Sequence, residues 1–295
     1  MSTQRGMMLK ASCPDLFQAA CADIERERGG VRHIQSLDVT RQIETCYDVT
    51  GLARPKADAG DPAARDLIAD RDAVLHFAGV PDPGRARQDP ARAVRENAGT
   101  TLNLLDGCLE HGAGLVYPST VRAAVEPPPD EYALSKRLGE LVCALHTAPA
   151  TVVRFTSVFG PGQLVARGAT GAIAWFAHNA LAGEAIVIPG DPERSRDFVY
   201  VDDAISAVEQ IVAEGRWNET LVVASGVRTP LLRAAELVRD AAGTSVPIET
   251  PGGELPPGEN ESYGADAPLD FTVRPLEEAV PAYVDWLRST SQSGT

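Results

Sequence analysis

Lysine is almost absent from this chain of 295 residues: Lys10, Lys56 and Lys136 are the only three, against 24 arginines. A lysine where arginine is the habitual cation points to a position that needs a compact amine. Positive charge as a whole is also in short supply. The formal net charge is −14, which excludes broad binding to nucleic acid or to an anionic membrane. It does not exclude an anionic small ligand held by a local arginine cluster. No Cys-x-x-Cys occurs. The five cysteines, Cys13, Cys21, Cys46, Cys108 and Cys143, are widely spaced and read as reduced thiols of a cytoplasmic protein. The five histidines show no metal-ligand spacing, so no metal is expected. No apolar stretch approaches membrane-spanning length. Met1 to Lys10 lacks a basic region followed by a long apolar run, so no signal peptide is expected. There is no internal repeat and no long low-complexity tract.

What is present is an ordinary globular composition, 44% hydrophobic and 23% charged, in a length that suits one large domain or two small ones. The middle of the chain alternates short apolar runs with helical patterns. Ala73–Ala78, closed by Gly79 and Pro81, reads as a strand. Pro90–Cys108 reads as a helix with a break at Gly99, Gly114–Ser119 as a strand, Glu131–Leu145 as a helix, and Thr151–Phe155 as a third strand. Strands separated by helices of this length imply a parallel sheet in a doubly wound, Rossmann-like α/β fold. Ligands of such sheets sit at the carboxyl ends of the strands, and Ser119-Thr120 falls there. Past Gly160-Pro-Gly162 the texture changes. Gly168–Leu181, Asp202–Ala213 and Leu276–Arg288 read as helices, Glu184–Ile188 and Asp197–Val201 as strands, and Pro247–Asp266 as a loop rich in Pro, Gly and Glu. The expected division is a dinucleotide-binding domain over 1–160 and a smaller substrate-binding lobe over 161–295, with some segments of the latter returning to the first domain.

Tyr132-Ala-Leu-Ser-Lys136 carries the chemistry. Positions four apart share a helix face, so Lys136 can stand beside Tyr132. A free tyrosine has a pKa of about 10 and a useful general base one nearer 7, a gap of roughly 4 kcal/mol. One ammonium about 4 Å away at an effective dielectric near 20 supplies about that much. Tyr-x-x-x-Lys alone arises often by chance, and a helical tyrosine with a lysine one turn on is usually surface decoration.

The surroundings supply the context. Ala57-Asp58-Ala59-Gly-Asp-Pro, Val74-Leu-His-Phe-Ala-Gly79, Asn97 to Leu105, Val116-Tyr-Pro-Ser-Thr120, Tyr132 to Lys136, Phe159-Gly-Pro-Gly162 and Arg196-Asp-Phe-Val-Tyr-Val-Asp-Asp203 occur in that order. From about Ala57 to Arg288 the chain resembles the extended short-chain dehydrogenase/reductase superfamily, in its nucleotide-sugar epimerase/dehydratase branch. The resemblance implies that Tyr132 is the acid/base on a sugar hydroxyl. It implies that Lys136 lowers the tyrosine pKa and binds the nicotinamide ribose, and that Thr120, or less readily Ser119, hydrogen-bonds the same hydroxyl. Asp58, Ala59, Phe77, Ala78, Gly79 and Asn97 would form the rest of the surface for NAD or NADP. Arg196 would pair with the substrate diphosphate, a bidentate task suited to a guanidinium, unless it simply pairs with a carboxylate such as Asp197. Arg154 and Ser157, at the end of the third strand, would contact the substrate. The substrate would be a nucleotide sugar or another small alcohol. A homodimer through the helices around 97–108 and 132–145 is implied as well.

The chain departs from that pattern at its start. A dinucleotide fold should open with an apolar strand and Gly-x-x-Gly-x-x-Gly, whose glycines let the backbone approach the pyrophosphate at a helix N-terminus. No such sequence occurs. Two registers stand open. In one, Met7–Ala11 is the first strand and Ser12-Cys-Pro-Asp15 caps the helix, placing Asp15 where the pyrophosphate belongs. In the other, Gly29–Gln35 is the loop remnant and Tyr47–Arg54 the second strand, with Arg54 available to a 2′-phosphate. Either way the pyrophosphate cradle is degraded, and nicotinamide binding is weakened, remodelled or lost. Val121-Arg122 stands where family dehydratases carry Asp-Glu, so elimination of a sugar 6-hydroxyl is not expected. Ser157 replaces a substrate-binding Asn. The expected activity is that of a nucleotide-sugar epimerase or ketoreductase. The alternatives are a cofactor-independent enzyme using Tyr132, or a non-catalytic partner subunit.

Overall fold

The computed structural model of the protein describes residues 58–163, 165, 171–266 and 268–292. Both registers for the opening segment, and Arg54 with them, lie outside the described residues. Ala73–Leu75 (β1) runs parallel to Gly114–Thr120 (β2) with Ala73 opposite Gly114, and β2 runs parallel to Ala150–Phe155 (β3) with Val116 opposite Thr151. Every residue of β2 is buried, as a strand covered on both faces must be. Its unbroken run of non-charged residues is therefore a strand signal even without alternation. β1 is shorter than Ala73–Ala78, although the amide of His76 still donates to the Val116 carbonyl at 3.0 Å.

Between β1 and β2 the chain forms Pro83–Gln88 (α1), Pro90–Val94 (α2) and Thr100–His111 (α3). Asp82 and Asp89 each cap the helix that follows, accepting from Arg85 and Arg92, with proline in the first turn. The cap satisfies an orphan N–H, and the proline lacks one. The interruption expected at Gly99 is a π-helical turn over Arg95–Gly99. Its cause is Asn97, which is fully buried. The Asn97 amide accepts from Val80 N at 2.9 Å and donates to the Val80 carbonyl and to Ser135 Oγ. Its own carbonyl accepts from Tyr117 Oη at 2.8 Å. The wide turn aims these groups at the sheet.

Glu131–Leu145 (α4), capped by Asp130 Oδ1 on Ala133 N, crosses back to β3. After β3 come Ser157–Phe159 (β4), Ala172–Ala182 (α5), Ile186–Pro189 (β5), Ser195–Tyr200 (β6) and Val201–Ala213 (α6). Thr220–Val223 (β7) then returns beside β3, giving the order β1-β2-β3-β7. Arg228–Pro230 (β8) pairs antiparallel with β6, and β4 pairs parallel with β6. Leu231–Ala241 (α7), Ile248–Gly252 (β9) and Leu276–Gln292 (α8) complete the described chain. β9 pairs parallel with β5, so part of the segment read as a loop is a strand. Its Pro and Gly content reflects an edge position with mostly exposed side chains. One apolar cluster, including Val116, Val153, Val199 and Val208, packs α6 on the main sheet. Another gathers the rings of Phe159, Phe198, Tyr200 and Tyr283 with α5, α7 and α8.

Asp197 ties the two parts together. It is 1% exposed and accepts from Ser225 N, Ser225 Oγ and Gly226 N at 2.8–2.9 Å. β6 is thereby fastened to the turn that follows β7.

Candidate functional site

The carboxyl ends of β1, β2 and β3 open on a cleft of about 940 Å3. Ser119, Thr120, Tyr132, Lys136, Ser157 and Arg196 all line it. The spacing of Tyr132 and Lys136 on α4 does bring them to one wall, but the ammonium is held elsewhere than at the phenol. Lys136 Nζ donates to the Pro118 carbonyl at 2.9 Å and lies 5.2 Å from the Tyr117 ring centroid. Burial pushes it down to about 8, against the opposing pull of Glu140.

The phenol is likewise not lowered. Tyr132 packs on Val80, Ala86 and Ala93. Burial raises its pKa above the usual tyrosine value, Arg122 opposes this, and Asp130 and Asp82 add to the rise. The expectation of an ammonium-lowered phenol is thus corrected: desolvation outweighs the charge effect, and the cation acting on Tyr132 is Arg122. Arg122 is an ion-pair partner of the buried Asp130, and its Nε is buried without a hydrogen-bond partner. His76, beneath the site, bonds Thr100 Oγ1 at 3.0 Å. Burial and the Lys136 charge hold it down at about 3, so it is neutral.

Arg196 is not the ion-pair partner of Asp197; its guanidinium is held by backbone carbonyls. It donates to the carbonyls of Ser195, Glu261 and Glu259 at 2.9, 2.5 and 3.1 Å. Burial, then the charges of Arg194 and Arg122, lower it to about 10. The carbonyls of Glu259 and Glu261 belong to a strap over the cleft that sequence reading treats as plain loop. Tyr263 lies between two guanidiniums, 4.4 Å from that of Arg122 and 4.9 Å from that of Arg196. Arg87 on α1 pairs with Glu259 at 2.7 Å. Arg122, Arg194, Glu259 and Tyr263 are lining residues that the sequence offers no local signal for.

Arg154 is not on the cleft wall. Its guanidinium is held by Glu140 at 2.9 and 2.7 Å. Phe77 and Gly79 line the cleft. At Gly79, with φ at 147°, a Cβ would run into Asn97 Oδ1, so only glycine makes this wall. Ala78 is exposed and off the cleft, and the Asn97 side chain is committed to Val80 and Ser135. Asp58 accepts from Gly60 N at 2.9 Å, and the Ala59 carbonyl accepts from Asn103 at 2.8 Å, pinning that turn to α3. A ring at Phe77, a wall without a side chain at Gly79 and the ammonium of Lys136 fit a nicotinamide and its ribose.

Residues 39–224 match the model of the NAD dependent epimerase/dehydratase family. The dTDP-glucose 4,6-dehydratase of Streptomyces antibioticus is 28% identical over 263 residues, which are 81% of this chain and 76% of that protein. A putative UDP-glucose 4-epimerase of Methanocaldococcus jannaschii is 25% identical over 308 residues, covering 90% of this chain and 98% of its own. Among solved structures, the UDP-glucose 4-epimerase of Thermotoga maritima with UDP-glucose superposes with a TM-score of 0.73 at 24% identity, over 89% of this chain and 98% of that one. That last likeness is one of fold.

Proposed function

The chain belongs to the NAD dependent epimerase/dehydratase family, and from that membership we propose that it is an epimerase or ketoreductase acting on a nucleotide-activated sugar. The observation that carries this reading is the convergence of Tyr132, Lys136, Thr120 and Arg196 on one cleft at the carboxyl ends of parallel strands. The relatives named for dTDP-glucose and UDP-glucose support the substrate class. A bound nicotinamide supplies the acceptor and donor of hydride. Tyr132 exchanges the hydroxyl proton of the sugar carbon as that carbon passes between alcohol and ketone. Thr120 fixes the same oxygen, and Lys136 holds the ribose side of the cofactor. Residues 1–160 carry the dinucleotide and 161–295 mainly the sugar nucleotide. Val121-Arg122 follows Thr120 where the dehydratases of the family carry Asp-Glu, which favours epimerisation or ketone reduction over expulsion of a sugar hydroxyl.

Arg196 binds the diphosphate by releasing the carbonyls of Glu259 and Glu261. Charge-assisted hydrogen bonds contribute about 1.5–3 kcal/mol, so Arg196→Met weakens nucleotide-sugar binding by roughly 10- to 150-fold and leaves NAD or NADP binding unchanged. Calorimetric titration with NAD, NADP, UDP-glucose and dTDP-glucose tests both the reading and the residue. Absence of any nicotinamide binding removes the redox assignment.

The protein assembles as a homodimer through α3 and α4. Leu102 and Leu109, seven apart on α3, and Leu134 and Leu141, seven apart on α4, are exposed, as is Leu145. Exposed leucines repeated at helical spacing on two helices suit burial against a second copy. Leu109→Glu with Leu141→Glu gives a folded monomer in sedimentation velocity. An unchanged sedimentation coefficient would assign the dimer to another face. No helix among the described residues is long and apolar enough to cross a membrane.

A further inference from the structure

We infer that Glu140 is a positioning residue for the proton-transfer site, fixing the Ser119–Thr120 strand end and the charge of Lys136 from behind the cleft. The inference rests on the reading of Tyr132 and Lys136 as the acid/base pair. On α4, Tyr132, Lys136 and Glu140 follow one another at intervals of four and so form one stripe. Glu140 is 6% exposed and lies off the cleft wall.

Its two oxygens gather the ends of two strands. Oε1 accepts from Ser119 Oγ at 2.6 Å and from Arg154 Nε at 2.9 Å, and Oε2 accepts from Arg154 Nη2 at 2.7 Å and Arg137 Nη1 at 3.3 Å. Ser119 and Arg154 are directly opposite in the β2–β3 ladder, so one carboxylate staples α4 to both strands at the same level. Ser119 sits between Pro118, whose carbonyl accepts from Lys136, and Thr120 on the cleft. The stapled residue therefore sets where the lysine's acceptor and the threonine hydroxyl stand. Charge-assisted bonds of this length are the strong ones.

The groups facing Lys136 come from every neighbouring element. On α4 it is Glu140, which also holds Arg137. From the end of β1 comes His76, which is neutral. From β2 come the Tyr117 ring and Ser119, and from β3 comes Arg154, held by Glu140. Glu140 is the carboxylate that counters the burial of the ammonium. Neutralising it removes the favourable partner and leaves Arg154 and Arg137 uncompensated. Both changes favour the uncharged amine, so the proton leaves at lower pH.

With three lysines in the chain, incorporation of lysine carrying 13C at the ε-carbon yields three resonances, and Lys136→Arg identifies the one that matters. In the wild-type protein that resonance titrates near 8. In Glu140→Gln, which keeps the size and can still accept from Ser119, its midpoint moves to lower pH by about one unit or more. The alkaline limb of the pH–rate profile, where turnover requires the ammonium, moves with it. An unmoved midpoint in folded Glu140→Gln overturns the inference and leaves Glu140 a packing residue. If Glu140→Gln leaves Arg154 buried alone and fails to fold, Glu140→Gln with Arg154→Gln removes both charges together, which buried pairs tolerate better. A smaller acid shift is expected there, because the Arg154 charge no longer opposes the ammonium, and an unmoved midpoint is equally fatal. The titration needs no turnover. An inactive protein with the shift intact would sink the proposed reaction and not the role of Glu140.

Discussion

Tyr132→Phe lowers kcat by roughly 10²- to 10⁴-fold, the range of a positioned acid/base, and leaves the melting point and nucleotide-sugar affinity near their wild-type values. The ring keeps its packing on Val80, Ala86 and Ala93, and among the described residues no hydrogen bond depends on its hydroxyl. Loss of the phenol is therefore read almost entirely in turnover. The direction of the phenol's pKa adds a second readout. Burial raises it, Arg122 opposes, and Asp130 and Asp82 raise it further, so the resting group at neutral pH is a phenol and acts first as an acid. Ketone reduction, which consumes that proton, is fast at neutral pH and falls as the phenol ionises. Alcohol oxidation needs the phenolate and climbs with pH over the same interval. In the phenylalanine variant the slopes that belong to the phenol disappear, and only the alkaline limb set by Lys136 remains. Turnover within tenfold of wild type, measured from the ketone side, would take the proton transfer away from Tyr132.

Much of the site's scaffold is readable from the chain alone, and the reasons differ by residue. β2 is buried on both faces, so its composition declares it. Asp130 before Glu131 declares the start of α4, because an aspartate cap is a local device. Spacing places Tyr132 and Lys136 on one face, but it does not say where a flexible amine points. The Pro118 carbonyl, contributed by another element, takes Lys136 Nζ. The π turn escapes for the same kind of reason. Gly99 is the visible weak point, while the cause is Asn97 bonding to Val80 across 17 residues. The strap is the plainest case. Glycine and proline between 252 and 266 announce turns, yet nothing local announces that Tyr263 ends between Arg122 and Arg196. Arg154 looks available in sequence and is not, because Glu140 lies across the helix-to-strand interface. Local chemistry is legible, and long-range partners are legible only where two motifs share an element.

Gly139→Ala follows from such a long-range contact and strikes fold and activity together. Helix propensity alone favours alanine over glycine by about 1 kcal/mol, so a surface glycine of α4 would gain from the change. Gly139 is not on the surface. A Cβ there would overlap Tyr117 Oη and come within 2.6 Å of the Asn97 carbonyl. Neither can move aside freely, since Tyr117 Oη donates to that same carbonyl and also lies 3.4 Å from the carbonyl of Lys136. Overpacking of a filled core costs about 1–3 kcal/mol, and a backbone carbonyl in the way puts this case at the upper end. The clash outweighs propensity, so the variant melts several degrees lower. Relief comes by α4 moving off β2, which carries Tyr132 and Lys136 away from Ser119 and Thr120. A misplacement of about 1 Å is enough for a rate loss on the order of 100-fold. Adding Tyr117→Phe removes the hydroxyl that the new methyl strikes. The double variant therefore recovers part of the melting point and of kcat, a non-additivity expected of groups in contact. If Gly139→Ala raised the melting point with kcat intact, α4 would not lie this close to the sheet, and the arrangement of the cleft derived from it would fall.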